Sequence, residues 1–110
     1  MSIGVKQREE EPVSYVRPGA AVIAENLVRV GKCRVIYRMS IEPRPQFRRR
    51  GEDRDFYTVS VEREKNGEWK SAELRDMTSD REMAEKFFRL ISKNGVLPEH
   101  LSEVYEDFFA

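Results

Sequence analysis

With 110 residues, the chain is expected to form a single domain around one core, with no room in these residues for a second. Leu, Ile, Val and Phe make up 27 of them, which excludes a chain too poor in apolar surface to fold. The 20 basic and 20 acidic side chains cancel, which excludes a global attraction to nucleic acid or anionic lipid.

Cys33 is the only cysteine. It has no internal disulfide partner and no CxxC or Cys/His cluster with which to build a zinc site, so a reducing compartment is expected. The segment Met1 to Pro18 carries Lys6, Arg8, Glu9, Glu10 and Glu11 where a signal peptide needs an apolar core, and no run approaches membrane-spanning length. A cytoplasmic location is expected, with no membrane contact.

In chain order, residues 1–19 lack helical and strand periodicity, contain Pro12 and Pro18, and read as a flexible N-terminal tail. Docking of Val13, Tyr15 and Val16 as an edge strand is the alternative. Residues 20–110 read as one α+β domain. From Val22 the apolar pattern has a period of two, and a two-residue turn at Gly31-Lys32 pairs Val30/Cys33, Val28/Val35, Asn26/Tyr37, Ala24/Met39 and Val22/Ile41 on one face. Only Asn26 spoils that face. The other face pairs Arg29/Arg34, Leu27/Ile36, Glu25/Arg38 and Ile23/Ser40, half polar as in a sheet covered on one side. A helix over Ala20 to Val28 is the competing reading, because short apolar runs are ambiguous by periodicity.

Asn66-Gly67 supplies the positive φ angles of a type I′ turn and defines a second hairpin. Its register places Lys65 opposite Glu68, Val61 opposite Ala72 and Val59 opposite Leu74, while Ser60/Glu73 and Glu62/Ser71 face the other way. After Met77 the period becomes helical. Ser79 and Glu82 read as a capping box, and Met83, Ala84, Phe87, Phe88 and Ile91 form the apolar stripe. Gly95 closes that helix, and Pro98 opens another that carries Leu101, Val104, Tyr105 and Phe108 on one face. The expected fold is an antiparallel sheet of two β-hairpins, about four strands, with two C-terminal helices packed on one side.

Three stretches carry a resemblance: Tyr57 to Val61, Asp76 to Asp80, and above all Leu97 to Phe109. They resemble a family of small uncharacterised clostridial proteins, a domain of unknown function, whose members end in a similar Pro-x-His-Leu-x-acidic-Val-x-Glu-Asp-Phe helix. The resemblance spans Arg34 to Phe109 and implies no activity. The tail before Ala20 and the arginine-rich loop after Pro43 inherit nothing from it.

No HExxH, GxxxxGK[ST], GxSxG or Gly-rich phosphate loop is present, so no catalytic residue, metal or cofactor is assigned and the protein is expected not to be an enzyme. A Cys33/His100 nucleophile and base pair competes with Cys33 as a small core hydrophobe, and the core reading is the stronger. His100, Glu103 and Asp107 share one side of the last helix, but a metal site needs a further ligand.

The sharpest signal is the loop 44–54, where Arg44, Arg48, Arg49, Arg50 and Arg54 surround Phe47, a chemistry suited to phosphate and base contact. Glu52, Asp53 and Asp55 partly neutralise it. The sheet offers Thr58, Ser60, Glu62 and Glu64 where an RNA platform needs stacking aromatics. Arg29 to Arg54 carries nine basic and three acidic residues, whereas the last helix carries Glu99, Glu103, Glu106 and Asp107 with no lysine or arginine. Two opposite patches on a neutral chain suit a protein partner or weak, salt-sensitive self-association. The expected function is a non-enzymatic protein-interaction or regulatory module. Its candidate binding residues are Arg44, Arg48, Arg49, Arg50, Arg54, Glu103, Glu106 and Asp107; the alternative is a nucleic-acid-associated regulator using the arginine loop.

Overall fold

The computed structural model describes residues 19–43 and 55–110. Residues 1–18 of the tail expected over residues 1–19, and the arginine loop 44–54, lie outside the described residues. Among the described residues four long antiparallel strands, β1 (Ala21–Val30), β2 (Cys33–Pro43), β3 (Asp55–Lys65) and β4 (Glu68–Thr78), form one sheet in the order β1-β2-β3-β4. Helix α1 (Arg81–Lys93), a 3-10 turn (Pro98–His100) and helix α2 (Leu101–Phe108) follow. The expected α+β architecture is therefore the one found. The segment weighed as a helix over Ala20 to Val28 is strand from Ala21 onward, because its alternation finds a partner in β2.

Both turns follow from local chemistry. Gly31 has φ 61° while Lys32 is not among the positive-φ residues, which is the pattern of a type II′ turn with glycine first. Asn66 and Gly67 both have positive φ, 53° and 82°, as a type I′ turn requires.

The first hairpin keeps its expected register from Val30↔Cys33 to Ala24↔Met39 and then departs from it. Val22/Ile41 and Ile23/Ser40 are replaced by Ala21↔Ile41 and Val22↔Ser40, with Ile23 as the extra residue of a bulge. The physical reason is position: among the described strands β1 is an outer one, where an extra residue disturbs only one ladder. The second hairpin matches its expected register from Lys65↔Glu68 to Val59↔Leu74, then resumes at Tyr57↔Thr78. Arg75, Asp76 and Met77 thus lie across from Thr58. Asp76 takes up the irregularity with φ 52°, and its backbone N–H donates to Thr58 Oγ1 at 2.9 Å.

The helix start also differs from expectation. The N-cap of α1 is Asp80 rather than Ser79, and its Oδ1 accepts from the Met83 N–H at 3.2 Å. Thr78 Oγ1 in turn accepts from the Asp80 N–H at 3.1 Å, so the residue after Ser79 is the one held in extended geometry, and aspartate caps as well as serine. At the other end Gly95 has φ 63° and the Val96 N–H reaches the Ile91 carbonyl at 3.0 Å, closing the helix in a Schellman arrangement.

The core lies between the helices and one face of the sheet. Val35, Tyr37 and Met39 of β2 and Tyr57, Val59 and Val61 of β3 are buried against Ala84, Phe87, Phe88 and Ile91 of α1 and Leu101 of α2. Phe87 is also the centre of an aromatic cluster with Tyr105, Phe108 and Phe109, at centroid distances of 6.3, 5.3 and 5.9 Å. Two polar groups on this face are matched rather than wasted. Tyr37 Oη donates to the Val96 carbonyl at 3.0 Å, and burial pushes its phenol up to about 12. Asn26, the apparent misfit, donates to Ser92 Oγ at 3.2 Å, which itself donates to the Phe88 carbonyl at 2.9 Å.

Candidate interaction surface

The sheet face away from the helices is built from the alternate residues of every strand, and it is ionic. Arg38 on β2 stands between Glu25 on β1 and Glu62 on β3, bonding the first through Nε and the second through Nη1 at 3.2 Å. Nearer the turns, Arg34 Nε meets Glu64 Oε1 at 3.0 Å, and the other Glu64 oxygen accepts from the Gly67 N–H at 2.8 Å. That backbone N–H first, and Arg34 second, hold the Glu64 carboxyl below the usual carboxylate range. Thr58 and Glu62, expected on the open face, are both buried, at 3% and 1% exposure.

Strand β1 has a different character. Among the described residues its only neighbour in the sheet is β2, and most of its residues are exposed. Val30/Cys33 closes a two-residue turn and is therefore a hydrogen-bonded pair; strict alternation puts Val28, Asn26 and Ala24 in the ladder too. The N–H and C=O groups of Arg29, Leu27 and Glu25 consequently point out of the sheet edge. Leu27 is the most exposed large apolar residue described, at 66%, and it is flanked on the same face by the exposed Glu25 and Arg29.

Of the residues singled out from sequence, Glu103, Glu106 and Asp107 are all exposed on α2. His100 Nδ1 lies 3.5 Å from Glu103 Oε1, and both side chains are largely in solvent. Glu99 differs from its acidic neighbours. It receives Arg63 Nη1 at 2.7 Å, and its own backbone N–H together with Arg63 holds its carboxyl below the usual range. Among the described residues no group of three or more His, Cys, Asp or Glu side chains has the geometry to hold a metal ion. Cys33 packs at the margin of the core, half-buried. Arg44, Arg48, Arg49, Arg50 and Arg54 lie outside the described residues.

The residues missed by sequence reasoning are those of the β1 edge. Glu25, Leu27 and Arg29 were visible as one face of a hairpin, but an edge is a property of sheet order, which no pairing within one hairpin reveals. The terminal signature has the opposite lesson. Its apolar members serve packing, with Pro98 and Leu101 buried and Phe108, alongside Tyr105 and Phe109, against Phe87, while His100, Glu103, Glu106 and Asp107 are exposed.

Among the described residues no helix is long and apolar enough to cross a membrane. No curated protein and no solved structure matches the chain. The match to a family extends further toward the N-terminus than the terminal signature suggests, taking in β1 from Val22: over residues 22–110, the chain belongs to the family of unknown function DUF6514.

Proposed function

We propose that the protein is a non-enzymatic, cytoplasmic protein-interaction module that binds by strand addition along β1. The observation that carries this reading is the exposed edge itself, with three consecutive outward-pointing positions, Glu25, Leu27 and Arg29, and Leu27 largely in solvent. An edge of this kind offers unpaired backbone donors and acceptors to an extended partner, while the alternate side chains supply selectivity. The paired charges on the open sheet face serve to hold the strands in register, since Arg38 and Arg34 are already engaged by carboxylates of adjacent strands.

A photo-crosslinking residue at position 27, in the full chain expressed in its native cell, tests the reading. Polypeptide adducts that survive nuclease and are absent when the probe sits at position 68, on the other hairpin, are the expected result. Adducts only of nucleic acid, or equal labelling from both positions, would overturn it.

A further inference from the structure

We infer that the occupant of the β1 edge is a second copy of this chain, joined antiparallel about a two-fold axis that passes between the two Leu27 residues. This deepens the strand-addition reading and rests on it. Backbone parity comes first. The outward-pointing groups belong to residues 25, 27 and 29, so a partner strand of the same sequence must bring its own odd-numbered residues opposite them. A two-fold axis then leaves a small set of registers, and side-chain chemistry separates them.

Centred on Leu27, the pairing sets Leu27 against Leu27 of the second copy and Glu25 against Arg29, the last contact occurring twice by symmetry. Centring on Glu25 or on Arg29 sets like charges face to face, which is unfavourable in a cross-strand pair. Intermediate registers set Glu25 or Arg29 against Leu27 and leave the charges unmatched. Only one register therefore joins apolar to apolar and acid to base. Arg29 is exposed and forms no salt bridge among the described residues. The Glu25 carboxylate is half exposed beside Arg38, so one of its oxygens remains available to a partner. The bulge at Ile23 ends the regular edge just beyond the proposed pairs and limits the contact to a short ribbon, consistent with reversible association.

Sedimentation over a range of concentrations, with thermal melting to verify folding, tests the register through charge reversal. Wild type is expected to dimerise. Glu25→Arg alone and Arg29→Glu alone each turn both symmetry-related attractions into repulsions and should weaken the dimer by about ten-fold or more. The double variant Glu25→Arg, Arg29→Glu should recover it, and an equimolar mixture of the two single variants should form heterodimers. Leu27→Pro, which removes an outward N–H that takes no part in the ladder to β2, should leave the fold intact and abolish association; it also decides the matter if a reversal fails to fold.

A wild type that stays monomeric at all concentrations, a dimer that persists in Leu27→Pro, or a double variant no tighter than the singles would overturn the inference. Polypeptide crosslinks from position 27 to another protein, with a monomeric wild type, would defeat the second copy while sparing strand addition.

Discussion

Replacing Tyr37 by phenylalanine tests how the helices are fastened to the sheet. Its ring is fully buried, and its hydroxyl is the donor to the Val96 carbonyl at 3.0 Å, in the link between α1 and the 3-10 turn. At neutral pH, Tyr37→Phe should cost about 1.5 kcal/mol, the ordinary effect of withdrawing one partner from a partly buried carbonyl. The pH dependence is more diagnostic. Burial raises the phenol from 10.0 to about 12 in the folded chain. Below pH 10 the group is protonated folded or unfolded, and stability is at its full value. Between about pH 10 and 12 only the unfolded chain releases the proton, so stability falls as pH rises, by about 2.7 kcal/mol in total. Above about 12 both states are ionised and the loss stops. Phenylalanine has no such loss, so urea denaturation should show the wild type more stable at pH 8, equality near pH 11, and the variant ahead beyond it. Parallel stability curves for the two proteins from pH 8 to 12 would refute the assignment of a buried, donating phenol.

Other perturbations probe single links. Gly95→Ala should destabilise by more than Gly31→Ala, by about 1 kcal/mol or above: both glycines have positive φ, but only at Gly95 would a Cβ meet Val30 Cγ2, at 3.1 Å; equal melting temperatures would argue against that close approach. Arg38→Met should cost about 2–4 kcal/mol in chemical denaturation by leaving the buried Glu62 carboxylate without its guanidinium, and Arg38→Met with Glu62→Leu should cost less than the single change. Glu64, held below the usual range by the Gly67 N–H and Arg34, contributes stability that is present at neutral pH and lost as pH falls through its folded value; Glu64→Gln should flatten the acid limb of the stability curve.

The parts of this fold legible in the sequence are those decided by neighbours along the chain. Asn66-Gly67 sets a turn whose register carries correctly to Val59↔Leu74, and Gly95 stops α1 where its positive φ allows it. Errors begin where a second partner intervenes. The bulge at Ile23 depends on β1 having one neighbour, and the irregularity around Asp76 depends on a hydroxyl from Thr58, eighteen residues away. Asn26 looked like a fault in an apolar face because its partner, Ser92, lies 66 residues further on. Burial of Glu62 was equally hidden, since alternation assigns a residue to a face without saying what lies across that face. For the candidate surface the same limit holds: charge runs at 44–54 and on α2 are conspicuous in one dimension, whereas the Glu25-Leu27-Arg29 edge exists only once four strands are ordered.

The other edge of the same sheet supports treating β1 as a working surface rather than a tolerated exposure. Long flat edges invite unwanted pairing, and proteins blunt them with bulges, charges of one sign or covering elements. β4 is protected in this way: its last turn is broken at Arg75 to Met77, where the register to β3 shifts, and both the 3-10 turn and α2 pack against it. Among the described residues β1 receives much less. α1 touches it through Asn26 and Ser92, Val30 meets the approach of Gly95, and the bulge at Ile23 affects only one end. Its two edge charges are opposite in sign and four residues apart, with a leucine midway. Charges of one sign at both positions would repel a second copy in the Leu27-centred register, but glutamate and arginine so placed repel only the wrong registers and admit a two-fold one. The sequence between Glu25 and Arg29 thus discourages indiscriminate edge pairing while leaving one specific contact open.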